Sequence, residues 1–321
     1  MDGNVTVDPT PLPSRLTPLD IALVVIFSIL AAVNVVSNSL VCWIVLKHRQ
    51  MKTAMNYLLI NLAVSDVIVA LFMTPQYVFR FTFTHPGGRA GDWLCKMITG
   101  GNFIWTGGAA SAFTLVAIAI ERYYAISRPH RHFFTTNHVT AIIVGSWVYA
   151  VVFNLPLFIV LEYEQKGIDF RCPEKWSSET MGKLYTVGAF FIFGAIPIGI
   201  MAVVYPLTIR ALWKAKVRAT DASRIAITRK RKKATRMVLA VTVLYFICWL
   251  PNLILYMLSQ YRPDIYIYFD IPYVISVILV GVNSTMNPFV YSLHSTRFRD
   301  ELKSLLCCSR YGNSDFLMNT L

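Results

Sequence analysis

The sequence predicts an all-α membrane protein, a bundle of seven membrane-crossing helices followed by a short amphipathic eighth helix. Three observations carry this. First, 55% of the 321 residues are hydrophobic and the mean hydropathy is positive at +0.53. Second, the apolar residues gather into seven runs, at about 20–46, 54–81, 92–124, 138–160, 182–212, 234–260 and 266–293. Each reaches the roughly 20 residues that span a hydrocarbon core, so the two soluble domains suggested by length alone are set aside. Third, 21 of the 30 Lys and Arg lie on one face of this arrangement, in the segments after runs one, three, five and seven. Basic residues mark the cytosolic side, which puts the N-terminus outside and the C-terminus in the cytosol. The net charge of +13 is then mostly topology, and it does not indicate nucleic-acid binding.

The chain divides into an outer tail (1–19), the bundle (20–293), an amphipathic surface helix (294–306) and a cytosolic tail (307–321). The outer tail is polar and Pro-rich. Its first residues, MDGNVTVDPTPLPSR, lack the basic-then-apolar pattern of a cleavable signal, so the first run serves as the membrane signal. Asn4-Val5-Thr6 is a glycosylation sequon on the outer side. A second match, Asn283-Ser284-Thr285, falls inside the seventh run and is discounted.

The runs carry polar and bulky landmarks in order. Asn38 sits in the first run. Asp66, in NLAVSD of the second, lies about 12 residues or roughly 18 Å from the inner end. A carboxylate at that depth is expensive and marks a functional site. In the third run Cys95 lies 27 residues before Arg122, roughly 40 Å along a helix, so the two belong at opposite water interfaces. Ser111, Asn283 and Asn287 fall near the depth of Asp66, and the two asparagines share a helix face at i, i+4. Unrelated interhelical hydrogen bonds would also account for them. Trp147 and Pro156 mark the fourth run, Pro197 and Tyr205 the fifth. The basic stretch TRKRKKATR before the sixth run resembles a nuclear-localisation tract, but beside a span it reads as positive-inside charge with attraction to anionic lipid. Pro251 should kink the sixth run, with Trp249 at the kink. The seventh ends in NPFVY, Asn287–Tyr291. Beyond it, Phe298, Leu302, Leu305 and Leu306 line one face of a helix and Arg297, Arg299 and Lys303 the other, the pattern of a helix lying on a membrane. Cys307 and Cys308 follow as candidate palmitoylation sites.

Each landmark alone is weak. In this order, from Asn38 and Asp66 through Cys95, Glu121-Arg122-Tyr123, AISRP, Trp147, Pro197, CWLP and NPFVY, the chain resembles the rhodopsin-like (class A) G-protein-coupled receptors over about residues 20 to 306. The loop around Cys172, with Glu174 and Trp176 close behind, is similar to that of neuropeptide receptors. Several expectations follow. Cys95 and Cys172 are the only cysteines on the outer side, where disulfides persist, and should be bonded. Cys42 and Cys248 lie in the membrane. Asp66, Ser111, Asn283 and Asn287 match the family's sodium pocket, with sodium as an allosteric modulator and no other cofactor. At rest Glu121 holds Arg122. An agonist repacks the outer half around Trp249, the sixth helix swings out about Pro251, and Tyr205 and Tyr291 move toward Arg122. Tyr123 and Pro288 complete the two switch motifs. The cavity so opened admits a heterotrimeric G protein, with arrestin and receptor kinase as further partners at the plasma membrane.

Three departures from the family pattern stand out. No acid lies between Thr228 and Arg236, so a second restraint on Arg122 is missing. Ala112 and Tyr245 replace a bulky aliphatic and a phenylalanine. Ser37 precedes Asn38 in place of glycine. No phosphate loop or His/Cys metal cluster suggests an enzyme. A channel or transporter would require an internal repeat, and none is visible. For the ligand, the third run has no acid between Lys96 and Glu121, which removes the usual partner of a biogenic amine, and the seventh has no lysine for retinal. The outer face carries eleven acids against nine bases and suits a cationic short neuropeptide; ordinary solvated loop charge, and a small-molecule or lipid ligand, are the alternatives. Gln76, Tyr77, Ile104, Trp105, Asn252, Tyr256 and Tyr273 are the candidate ligand-binding residues.

Overall fold

The computed structural model describes residues 17–79, 84–128, 134–166, 169–217, 221–265, 270–294 and 298–300. Seven helices in it are long and apolar enough to cross a membrane. The first two are α1 (Pro18–Lys47) and α2 (Ala54–Tyr77). The third, α3, is composite: Gly88–Leu94, a π turn Cys95–Thr99, and Asn102–Ser127. After α4 (Thr136–Val160), α5 is again composite: Glu179–Ala189, a π turn Phe190–Ala195 and Ile196–Val217. α6 (Ala222–Tyr261) and α7 (Ile271–His294) complete the bundle.

Helix starts follow local chemistry. Thr17, Thr53, Thr135 and Ser178 each turn a hydroxyl onto a backbone N–H of the first turn, which satisfies a donor that the helix leaves free. At Thr17 the box is reciprocal, with Asp20 answering the Thr17 N–H. Prolines 75, 156, 206, 251 and 288 sit inside helices, a placement that membrane bundles tolerate because neighbours re-satisfy the freed groups.

Three expectations need correction. The basic stretch before the sixth run is helix: α6 begins at Ala222, not near 234. Its Ala, Arg, Lys and Ile are competent helix formers, and Asp221 ahead of the first turn suits the dipole. The third helix is not continuous from Cys95 to Arg122. It breaks at Gly100 and Gly101, and Gly101 has φ +79, a left-handed conformation that glycine adopts without strain. Asn102 bridges the break, its Nδ2 donating to the Lys96 carbonyl at 2.8 Å. Cys95 therefore stands inside the composite helix, directly after Gly88–Leu94. Finally, the outer loop contains an antiparallel hairpin, β1 (Glu164–Lys166) with β2 (Asp169–Arg171), which the sequence reading did not include.

Polar side chains tie the bundle together. Asn61 of α2 donates to Thr114 at 2.8 Å and Ser146 at 3.1 Å and accepts from the Trp147 indole at 2.9 Å. Asn38 donates to the Ser284 carbonyl at 3.0 Å, joining α1 to α7. Such bonds contribute about 0.6 kcal/mol each in membranes, so their role is to set register. Of the eighth helix, only Phe298–Asp300 is described, and it is helical. Asn4, Arg297, Leu302, Lys303, Leu305, Leu306, Cys307 and Cys308 lie outside the described residues.

Candidate functional site

Three layers of functional side chains stack along the bundle. At the inner end Arg122 forms an ion pair with Glu121, both largely buried. Among the described residues no other acid pairs with Arg122. Tyr123 packs edge-on to Tyr124 at 5.4 Å. Tyr205 does not reach toward Arg122. Its hydroxyl shares a 2.6 Å hydrogen bond with Thr242 of α6, both buried. Above this lies a dry layer of Leu59, Leu62, Leu115, Ile118, Val238, Val241 and Tyr291. The Tyr291 hydroxyl is buried in it without a partner. Leu115 and Ile118 place this layer between Ser111 and Arg122 along α3.

Arg231 shares the buried face of α6, since Thr235, Val238, Thr242 and Tyr245 follow it at helical spacing and all four are buried. Two restraints on α6 can thus be tested in opposite senses. Thr242→Val leaves a buried hydroxyl unpaired at a cost of about 1–2 kcal/mol to the closed form, and should raise agonist-free signalling. Arg231→Glu adds a charge pair worth about 1 kcal/mol and should lower it. A nucleotide-exchange assay at matched surface expression checks both. No change in either variant would show that α6 is held elsewhere.

The middle layer centres on Asp66, which is fully buried. Asn287 Nδ2 donates to it at 2.7 Å and the Ser111 hydroxyl at 3.5 Å. The Ser284 hydroxyl is a further hydrogen-bond partner that sequence reasoning missed. Asn283 is turned elsewhere: its Oδ1 accepts from the Trp249 indole at 3.2 Å. Asn287 Oδ1 and Asn283 Nδ2 are buried without partners. Buried polar atoms are rarely left so.

Trp249 links this layer to the outer one. It stacks on Tyr245 at 5.5 Å and meets Trp105 edge-on at 6.2 Å. Gly108 lies against its ring, so close that a β-carbon there would collide with it. The unusual Tyr245 is explained by the π turn of α5, which presents the Phe193 carbonyl to its hydroxyl at 3.2 Å. A phenylalanine would leave that carbonyl bare. Pro251 follows within α6.

The outer layer is a narrow cleft of about 30 Å³ between α3, α4, α5 and α6. Trp105, Asn252 and Tyr256 line it as expected, joined by Asn154, Tyr185 and Phe193. Gln76, Tyr77, Ile104 and Tyr273 do not line it; all four are buried in helix packing. Tyr77 stacks on Phe27 at 4.4 Å, and Gln76 abuts Gly101 at the α3 break. Ile104 and Trp105 are neighbours on the unbroken segment Asn102–Ser127 and point to different sides of it, Ile104 into helix packing and Trp105 into the cleft.

The second outer loop covers this cleft. Cys95 and Cys172 are disulfide-bonded, their Cα atoms 5.6 Å apart. Beyond Cys172 the chain pairs back on the end of α4, through Glu162 N to the Pro173 carbonyl at 3.1 Å and Lys175 N to the Val160 carbonyl at 2.8 Å. Glu174, held between, accepts from the Tyr256 hydroxyl at 2.8 Å and the Trp176 indole at 2.9 Å. Burial pushes its carboxyl above the usual range, against the lowering effect of these two bonds. His85 is wedged beside the disulfide, stacked between Tyr163 and Phe170, and burial lowers its pKa.

The family description "7 transmembrane receptor (rhodopsin family)" matches residues 37–291. Neuropeptide FF receptor 2 of Rattus norvegicus is 28% identical over 82% of this chain and 67% of its own length. The RYamide receptor of Drosophila melanogaster is 29% identical over 86% and 63%, and galanin receptor 2b of Danio rerio 30% over 92% and 77%. The chain thus spans about two thirds to three quarters of the length of these relatives.

Proposed function

Because the chain belongs to the rhodopsin family of seven-transmembrane receptors, with neuropeptide receptors among its relatives, we propose that it is a plasma-membrane receptor for a short cationic peptide. The N-terminus faces outward, and ligand binding opens the cytosolic end to a heterotrimeric G protein. The observation that carries this is Glu174, a carboxylate set in an aromatic surround at the mouth of the cleft. Aromatic walls with one or two placed polar groups suit a ligand's anchoring side chain, and Asn154 adds a buried oxygen without a partner facing the same cleft. A cationic group entering there takes the carboxylate from the Tyr256 hydroxyl. That loosens the tie between the loop and the part of α6 beyond Pro251 and repacks Trp249. α6 then moves as a lever, and Tyr205 leaves Thr242. Each step is a change of partner between two packed states, biased by the ligand's preference for one of them.

The test uses RYamide, neuropeptide FF and galanin peptides beside a lipid library, in competition binding on the full chain. Glu174→Gln should weaken a cationic peptide at least tenfold, on the order of the 2–5 kcal/mol lost when one partner of a buried charge pair is removed. Alanine at Trp105, Asn252 or Tyr256 should weaken it as well. Because the Glu174 carboxyl titrates above the ordinary carboxylate range, wild-type affinity should fall as pH drops, starting above the pH expected of a solvated glutamate. The Gln variant should lack this dependence. Displacement by lipids alone would replace the peptide reading with the runner-up.

The middle layer fits a sodium ion. Asp66, Ser111, Ser284 and Asn287 would hold it through oxygen atoms, the chemistry that hard cations select. Bound there, it would supply a fixed positive charge beside the buried carboxylate. The protein's own contribution is to hold α2, α3 and α7 around that charge in the closed form. Sodium chloride should therefore raise the thermal midpoint of the ligand-free receptor relative to choline chloride, and Asp66→Asn should abolish the difference. Equal sodium stabilisation in wild type and variant would refute the assignment.

A further inference from the structure

The cytosolic extension of α6 carries a feature that the receptor reading leaves unused. Arg229, Lys232 and Arg236 recur at i, i+3, i+7, so they share one helix face. All three are exposed. Continuing toward the membrane centre, the same face presents Val243 at 47% and Ile247 at 63% exposure. It lies opposite the buried Val238, Val241 and Tyr245 and so looks away from the bundle. One outward stripe thus changes from apolar to cationic along its length. Among the described residues none of the three bases forms an ion pair, whereas Arg224 nearby has Asp221 at 3.6 Å. The charged part extends about 10 Å and the apolar part about 6 Å along the helix.

We propose that this stripe docks a cytosolic-leaflet phospholipid whose headgroup bears more than one phosphate, with its acyl chains along Val243 and Ile247. The three cations are spread over about 10 Å of helix, wider than a single phosphate group, and two of them are arginines, whose guanidinium forks pair with phosphate bidentately. The bases stand on the lipid side of α6 rather than in the cavity that a G protein would enter, so the membrane is the partner they face. A headgroup clamped there anchors the segment of α6 that must move. The proposal rests on the cytosolic placement of this end.

The experiment uses the purified full chain and three probes: fluorescent dioctanoyl phosphatidylinositol bisphosphate, dioctanoyl phosphatidylserine, and soluble inositol trisphosphate. Wild type should bind the bisphosphate lipid at least tenfold more tightly than phosphatidylserine, and less tightly as salt rises. Arg229→Gln/Lys232→Gln/Arg236→Gln should lose at least tenfold, since each base near an anionic surface contributes substantially. Lys47→Gln/Arg49→Gln/Lys52→Gln, on the α1–α2 turn, should bind as wild type. Val243→Ser/Ile247→Ser should weaken the lipid and leave the soluble headgroup unchanged. Wild-type lipid binding in the α6 triple variant would overturn the proposal, and loss of G-protein coupling there would reassign the stripe to that protein. Equal loss in the α1–α2 control would reduce it to diffuse charge. Antibody access to an N-terminal epitope on intact cells tests the orientation separately.

Discussion

Gly108→Val is expected to lower the thermal midpoint of the receptor by about 4–16 °C, taking about 2–4 °C per kcal/mol. The added carbons meet the Trp249 ring where even one β-carbon does not fit. Overpacking of this kind costs about 1–3 kcal/mol, and displacing Trp249 also breaks its stack on Tyr245, worth about 1 kcal/mol more. The indole would lose its bond to Asn283 as well, so outer and middle layers would be perturbed together. Thermal unfolding of the purified protein, with Gly108→Ala as an intermediate step, reads this out. An unchanged midpoint in the valine variant would mean that Trp249 has another rotamer available at no cost.

Cys172→Ser is expected to cost about 2–5 kcal/mol, the usual range for a natural disulfide. It should also abolish high-affinity ligand binding, because the chain just beyond Cys172 places Glu174. The bond joins residues 77 apart in sequence, yet the helix ends between them are already held by the bundle, so the lower half of that range is the expected result. Cys95→Ser should match it, and the double variant should be no worse than either alone, since both remove one interaction. Surface display and ligand binding together check this. Peptide mapping that finds either cysteine as a free thiol in the folded receptor would contradict it.

Much of the layering was legible before any coordinates. Asp66, Arg122 and Asn287 announce themselves because a polar group in an apolar run is costly and therefore informative. Trp249 and Pro251 do so by their spacing within the sixth run. What escaped notice has physical reasons. The apolar run at 234–260 stops short of the start of α6 because a hydropathy scan sees only charge in Arg229–Lys233, although those residues are sound helix formers. Ser284 looks like any small residue in a seventh run. Glu174 and Tyr256 are 82 residues apart in sequence, and nothing local connects them. The Gly100–Gly101 pair was visible, and the interruption of α3 there could have been drawn from it. The π turns have no comparable local mark. That of α5 shows itself only through Tyr245, whose hydroxyl needs the carbonyl it exposes.

The interruption of α3 also bears on how a push at the outer surface travels inward. An unbroken helix behaves as a stiff rod, and twisting one end turns the other. Gly100 and Gly101 lack the side chains and the continuous hydrogen-bond ladder that carry torque. The disulfide-bearing stub of α3 can therefore tilt with its loop without rotating Gly108, Ser111 or Arg122 about the helix axis. The rod below the break, which carries Trp105, is left to answer sideways pressure from Trp249.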